Sequence, residues 1–203
     1  MHGFSDEERV RIRERLLETG REMLLTYGPK KTNVADITEP VGIAKSTFYR
    51  FFDSKDELYL EVVQREFDQL TACIDEELAD VEDPCEGLER LFGCYRDFAE
   101  GNPLVQRLLT RDDYRETFRN VPPETVERVQ REALADIVPH VERLQARTDG
   151  PLARRDPVVV LMLMGTVGQM VLYREEYEEY GEGYYEEVQD LLVTSLARGL
   201  TAG

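Results

Sequence analysis

Proline and glycine divide this chain into segments of helical length, and no run of alternating β-branched residues bounded by turn signals lies between them. That punctuation leaves helix packed on helix as the source of a core, so the chain reads as all-α, with about nine helices. Ser5-Asp6-Glu7-Glu8 is a capping box that opens a helix to about Tyr27, with Val10, Leu16, Leu17, Met23, Leu24 and Tyr27 on one side and Gly28-Pro29 as its stop. Ser54-Lys55-Asp56-Glu57 is a second box, and Tyr59, Val62, Val63, Phe67, Leu70 and Ile74 then recur at three- and four-residue steps to about Asp80. An amphipathic segment follows Asp83-Pro84 and ends at Gly101, and short helices reach Asn120. A long helix begins at Pro122-Pro123, and Pro139 inside it is expected to kink or divide it. The last two helices span Asp156 to about Glu179 and Gly183 to about Leu200.

Val158 to Tyr173 is the most apolar stretch, but it falls short of the ~20 residues a membrane-spanning helix needs and contains Thr166 and Gln169. It reads as a buried helix, and no membrane partner is expected. A helix apolar on nearly every side must be covered all round, and a second copy of the chain is an economical cover. The last two helices, about 156–200, are therefore the expected homodimer interface, with Gly165 and Gly168 permitting close approach. The acidic, tyrosine-rich stretch Glu175 to Glu187 reads as a solvated turn with flanking helix ends.

Charge is unevenly placed. The 203 residues carry 25 Lys+Arg and 42 Asp+Glu, a formal charge of -17, which is the reverse of what a nucleic-acid binder ordinarily shows. Residues 1–65 hold 11 basic and 12 acidic side chains, which leaves 14 and 30 for the remainder. All four lysines, Lys30, Lys31, Lys45 and Lys55, lie in the first 55 residues, which suggests a basic contact surface there. An acid-rich, lysine-poor composition also resembles that of proteins from salt-accumulating halophiles. The first 20 residues are dense in charge and lack an apolar h-region, so the chain is expected to be cytoplasmic.

Catalytic and metal chemistry find little support. Cys73, Cys85 and Cys94 form no CxxC pair, and with His2 and His140 alone to assist them they make no zinc pattern. A redox pair of Cys85 and Cys94 is conceivable, but buried free cysteine ordinarily packs as a small hydrophobe, and that reading is preferred. There is no nucleophile-base spacing, glycine-rich phosphate loop or HExxH, and two histidines leave little acid-base machinery near neutral pH. No enzyme activity, cofactor or metal is expected.

The informative segment is Thr32 to Phe52, which splits into two short helices around Gly42. Thr32 or Asn33 can cap the first helix, Val34, Ile37 and Val41 give it an apolar side, and Gly42 supplies the left-handed turn. Phe48 and Phe52, four apart, hold the second helix down and leave Lys45, Ser46, Thr47, Tyr49 and Arg50 outward. That is a helix-turn-helix, and those side chains suit a major groove.

Ile37 to Phe52, followed by Asp53-Ser54-Lys55-Asp56-Glu57-Leu58, resembles the N-terminal domain of the tetracycline-repressor (TetR) family, over roughly residues 10–60. The resemblance implies a three-helix DNA-binding domain over 1–54 and a helical ligand-binding and dimerisation domain over 55–203. It implies that Lys45, Ser46 and Thr47 face bases, that Tyr49 reaches a phosphate and that Arg50 does either. Thr32 and Lys55 match the family's contacts to the DNA backbone, and helix starts favour phosphate independently. The sequence departs from the family's usual residues at Thr38, Pro40, Val41 and Ser46, which leaves base preference open.

The resulting expectation is a homodimeric repressor on a palindromic operator of double-stranded DNA, released by a small, apolar effector. Aromatic and Met residues are the candidate pocket walls. They are Phe67, Leu70, Phe92, Tyr95 and Phe98 on the middle helices, Tyr114 and Phe118 beyond them, and Met162, Gln169, Met170 and Tyr173 near the end. The alternative is a ligand- or partner-binding helical protein without DNA affinity, which the overall charge favours.

Overall fold

The computed structural model describes residues 4–203, of which 111–113 are described by their backbone alone; His2 lies outside the described residues. Every regular element among the described residues is a helix, as the punctuation requires. In chain order these are α1 (Asp6–Lys31), α2 (Val34–Val41), α3 (Lys45–Phe48), α4 (Lys55–Glu77), α5 (Pro84–Gly101) and α6 (Pro103–Leu109). They continue as α7 (Arg111–Thr117), α8 (Pro123–Gln145), α9 (Pro157–Gln169), α10 (Arg174–Glu178) and α11 (Tyr184–Thr201). Tight 3₁₀ turns occupy Pro151–Arg154 and Met170–Tyr173. The chain forms two compact units: Met1–Glu66 with Arg107–Val129, and Phe67–Gln106 with Gln130–Gly203.

The first unit is organised by α1. Ser5 and Glu8 close the capping box reciprocally, with Glu8 N donating to Ser5 Oγ at 3.2 Å and Ser5 N to Glu8 Oε2 at 2.9 Å. Gly28, at φ 78° and ψ 170°, interrupts the helix before one further turn runs through Pro29 to Lys31. The carbonyls freed at that break are answered by three side chains: Arg107 donates to Leu25 O, Thr32 to Gly28 O, and Lys55 to Pro29 O. Leu16, Leu17 and Leu24 are buried as expected, whereas Val10 and Tyr27 are exposed.

Helices α1 and α4 approach closely, because a Cβ at Gly20 would lie 2.3 Å from Leu58 Cδ2. Along the same contact Arg13 pairs with Glu61, Arg21 with the buried Glu66, and Arg65 forks onto Glu14 at 2.5 and 2.7 Å. Three of the eleven basic side chains in the first 65 residues are therefore paired with carboxylates of this unit. Asp56, buried, accepts from Asn120 N and Nδ2, which ties the start of α4 to the segment before α8.

The second unit holds the larger core, built from Leu70 and Ile74 of α4, Leu78 just after it, Leu88, Leu91 and Phe92 of α5, Val141 and Leu144 of α8, and Val160, Leu161, Met164 and Val167 of α9. Helix α8 runs through Pro139 undivided, so of the two expected effects, a kink or a division, the division does not occur. Pro139 is exposed, so the carbonyl it leaves without a partner faces water. Arg143 donates to Leu78 O at 2.5 Å, Arg147 to Val81 O at 2.7 Å and Arg90 to Glu77 O at 3.1 Å, so three guanidinium groups serve the carbonyls where α4 ends.

Pro157–Glu178 is the one helical run among the described residues that is long and apolar enough, by length and composition, to cross a membrane. Its inner side is packed in this core, and Gly168 lets Tyr95 of α5 lie against it, since a Cβ there would fall 2.3 Å from the ring. The outer side is open: Val159 is 46% exposed, Met162 67% and, on the neighbouring α11, Leu191 66%. Gly165 meets nothing on that side. Within one chain half of α9 is covered, and its outer half is the side the expected second copy would cover. The acidic stretch also contributes inward: Tyr185 is fully buried, its hydroxyl donating to Glu100 and accepting from Gln189, both at 2.9 Å.

Candidate nucleic-acid interface

The segment after α1 folds as two short helices for local reasons. Asn33 caps α2, its Oδ1 accepting from Ala35 N at 2.9 Å, while Asp36 Oδ2 accepts from Asn33 N at 2.7 Å. At the other end Gly42 takes the left-handed conformation, φ 78° and ψ 30°, and its N–H reaches Thr38 O and Glu39 O. Ile43 N returns to Thr38 O at 3.2 Å. Pro40 sits in the last turn of α2, exposed, and its carbonyl accepts from Arg15 at 2.8 Å.

Helix α3 is a single α-helical turn, and Arg50 N to Thr47 O and Phe52 N to Phe48 O extend it as tight turns. Phe48 is fully buried and Phe52 nearly so, their ring centroids 5.6 Å apart. Those two rings fix one side of the turn inward. Lys45, Ser46, Tyr49 and Arg50 are exposed and Thr47 half-exposed. Tyr49 stands edge-on against Phe48 at 5.4 Å with half of its surface open, and the Arg50 guanidinium lies 5.3 Å from the Phe4 ring. The five side chains expected to point outward are thus presented together on the solvent side of α3 and the turn that follows.

Thr32 and Lys55 are placed differently. Thr32 is 3% exposed and its hydroxyl donates to Gly28 O at 2.9 Å. Lys55 Nζ donates to Pro29 O and Thr32 O at 2.6 and 2.7 Å and lies 5.6 Å from the Tyr59 ring. Both donors serve the unpaired carbonyls after the Gly28 break, so these residues hold the joint between α1 and α4 rather than present a donor outward. Burial pushes the Tyr59 hydroxyl up to about 12.

The candidate pocket residues are divided between the two units, with Tyr114 and Phe118 in the first and the others in the second. Leu70 and Phe92 are core, and Tyr95 packs on Gly168. Phe67 and Phe98, half-buried, meet at 5.9 Å, and Tyr95 and Phe98 at 6.2 Å. Tyr114 and Phe118 pair edge-on at 5.0 Å, but in the first unit. Met170 is half-buried, whereas Met162, Gln169 and Tyr173 face outward, because Val160, Leu161, Met164 and Val167 occupy the inner side of α9. Sequence reasoning did not single out the exposed Val159 and Leu191, and it placed the exposed Met162 in a pocket wall. The unbroken apolarity of α9 was the signal for the two on that helix.

Against known proteins, residues 16–62 match the family described as bacterial regulatory proteins, tetR family. The chain is 30% identical over 102 residues to the HTH-type transcriptional activator FasR of Mycolicibacterium smegmatis, covering 50% of this chain and 47% of that protein. Thus the chain matches about half the length of this relative. Among solved structures it resembles a TetR-family transcriptional regulator from Pectobacterium atrosepticum, with TM-score 0.69 and 21% identity over 98% of this chain and 99% of that one. It also resembles the transcriptional regulator FadR from Bacillus subtilis in complex with stearoyl-CoA, with TM-score 0.66 and 13% identity over 92% and 98%. Residues 16–62 therefore match the model of the tetR family of bacterial regulatory proteins, and the chain as a whole shares the fold of these solved structures.

Proposed function

We propose that this chain is a dimeric, non-enzymatic transcriptional regulator that binds a palindromic DNA operator and is released by a small apolar ligand. The observation that carries this reading is the outward set Lys45, Ser46, Thr47, Tyr49 and Arg50, held on one turn by buried Phe48 and Phe52. In a two-fold dimer the two sets would enter successive major grooves about 34–36 Å apart, and occupancy would block transcription. Residues 1–54 supply DNA binding and 55–203 the ligand response and the dimer contact. The exposed apolar side chains Val159 and Met162 of α9 and Leu191 of α11 support dimerisation through the last two helices.

The stearoyl-CoA of the FadR structure supports an effector with a long apolar chain. Such a ligand would act by favouring a body conformation with a different spacing of the two recognition helices. The acidic, lysine-poor composition supports operation in concentrated salt, where a shallow dependence of affinity on salt is expected. Gel retardation with DNA upstream of the chain's own gene tests the reading. The expected result is a shifted band that the same fragment competes away.

The formal charge of -17 favours a second reading, a ligand- or partner-binding protein without DNA affinity. A folded dimer that retards no DNA at any salt concentration would establish it over the first.

A further inference from the structure

The cysteine pair that the structure brings together is not the one suggested by spacing. Cys85 and Cys94 lie on the same helix, α5, nine residues and so about 13 Å apart along its axis, beyond reach of one another. Cys73 of α4 and Cys94 of α5 instead meet Sγ to Sγ at 3.1 Å, about 1 Å more than the ~2.05 Å of a disulfide bond. Cys94 is buried and Cys73 half-buried, and all three cysteines are free thiols. Cys73 and Cys94 both line a surface hollow of about 430 Å³, so small molecules can reach the pair from solvent.

We propose that Cys73 and Cys94 form an oxidisable dithiol site that closes reversibly to a disulfide when a small neutral hydroperoxide enters this hollow. The charge around the pair selects the oxidant. Glu77, Glu86, Glu89 and Asp97 line the hollow with Arg90 and Arg96. Arg90 already pairs with Glu86 at 2.6 Å, and Arg96 with Asp97 at 2.8 Å. Arg90 reaches Glu77 as well, at 3.6 Å, so four carboxylates face two guanidinium groups, and this excess of negative charge disfavours anionic disulfides and leaves uncharged peroxides as the suitable class.

Cys73, the more exposed thiol, attacks as its thiolate. Its sulfur bonds one peroxide oxygen, the O–O bond breaks, and hydroxide leaves and is protonated to water, which leaves Cys73 as a sulfenic acid. The Cys94 sulfur then attacks the Cys73 sulfur; the S–S bond forms, the S–O bond breaks, and the departing hydroxide takes the Cys94 proton as a second water. Two thiols are oxidised by two electrons and one hydrogen peroxide is reduced to two waters. Burial holds the Cys94 thiol in its protonated form, which leaves the first attack to Cys73; Cys94 gives up its proton only as it attacks the sulfenic acid.

The test uses the full chain, reduced and then treated with hydrogen peroxide under native conditions. The expected product has lost the mass of two hydrogen atoms and two of its three titratable thiols, and digestion yields a Cys73 peptide joined to a Cys94 peptide. Dithiothreitol should restore all three thiols. Cys85→Ala should behave as the parent, and Cys73→Ser should form no internal cross-link. Cys94→Ser should trap oxygen on Cys73; if that variant does not fold, the comparison of Cys73→Ser with the parent decides. Retention of all three thiols, gain of oxygen without a cross-link, or a cross-link through Cys85 would overturn the proposal.

Discussion

Lys55 Nζ donates to the carbonyl oxygen of Thr32 at 2.7 Å, and the Thr32 hydroxyl donates in turn to Gly28 O at 2.9 Å. A side chain at the start of α4 thereby closes the end of α1 through Thr32, the residue that follows α1. The orientation of the helix-turn-helix depends on this joint, because α2 begins two residues after Thr32.

Lys55→Ala is expected to destabilise the fold by about 1–3 kcal/mol, since it removes a charged donor and leaves two carbonyls without it. DNA affinity should fall alike for all sequences. Urea unfolding checks the first outcome and anisotropy with matched and mismatched operators the second.

Substituting Lys45 or Ser46 by Ala should change which base is preferred, by about 1–3 kcal/mol per affected base pair, if these side chains read base edges. Tyr49→Phe and Arg50→Ala should weaken binding with less effect on preference. Selection of binding sites from a random DNA pool separates the two outcomes.

Gly42→Ala should cost about 1–2 kcal/mol, because only the left-handed backbone resists it: a Cβ there meets nothing within 4 Å. Gly42→Asn should cost less. Thermal unfolding of the two variants gives the comparison.

The pH response should have two distinct edges. The Arg65 fork beside Glu14 holds that carboxyl below its usual 4.5, so its contribution is present above pH 4.5 and is lost as pH falls through the depressed value. Glu14 is partly exposed and the effect is therefore small; Arg65→Met should remove it. Tyr59 behaves oppositely: its hydroxyl, raised by burial to about 12, favours folding below pH 10 and ceases to do so as pH rises through about 12. Tyr59→Phe should flatten the alkaline limb of Tm against pH.

Met162→Glu or Leu191→Arg should convert the proposed dimer to monomer without loss of helix content, because both side chains lie outside the core. Sedimentation velocity and circular dichroism together check this. A dimer that survives both substitutions would place its contact elsewhere.

The parts of the fold that could be read from sequence are those set by near neighbours. The Ser5 and Ser54 caps, the turn at Gly42 and the inward pair Phe48 and Phe52 each depend on residues within four positions of one another. The rest depends on partners far along the chain. Nothing local to Lys55 shows that its ammonium ends on Pro29 and Thr32, or that Arg13, Arg21 and Arg65 are taken up by Glu61, Glu66 and Glu14. Cys73 finds Cys94 by the same kind of register between two helices. The uniform apolarity of α9 likewise hid its two sides, because only the packing of Tyr95 on Gly168 distinguishes inner from outer.

The central claim is that Lys45 through Arg50 form a DNA-reading surface. The most direct measurement is anisotropy of a labelled fragment from upstream of the gene, titrated with the full chain and with a Lys45→Ala, Arg50→Ala double variant of equal stability. The account predicts saturable, competable binding by the parent that the double variant loses by at least an order of magnitude. Equal affinity of the two proteins, or no binding by a folded parent dimer at any salt concentration, would contradict it.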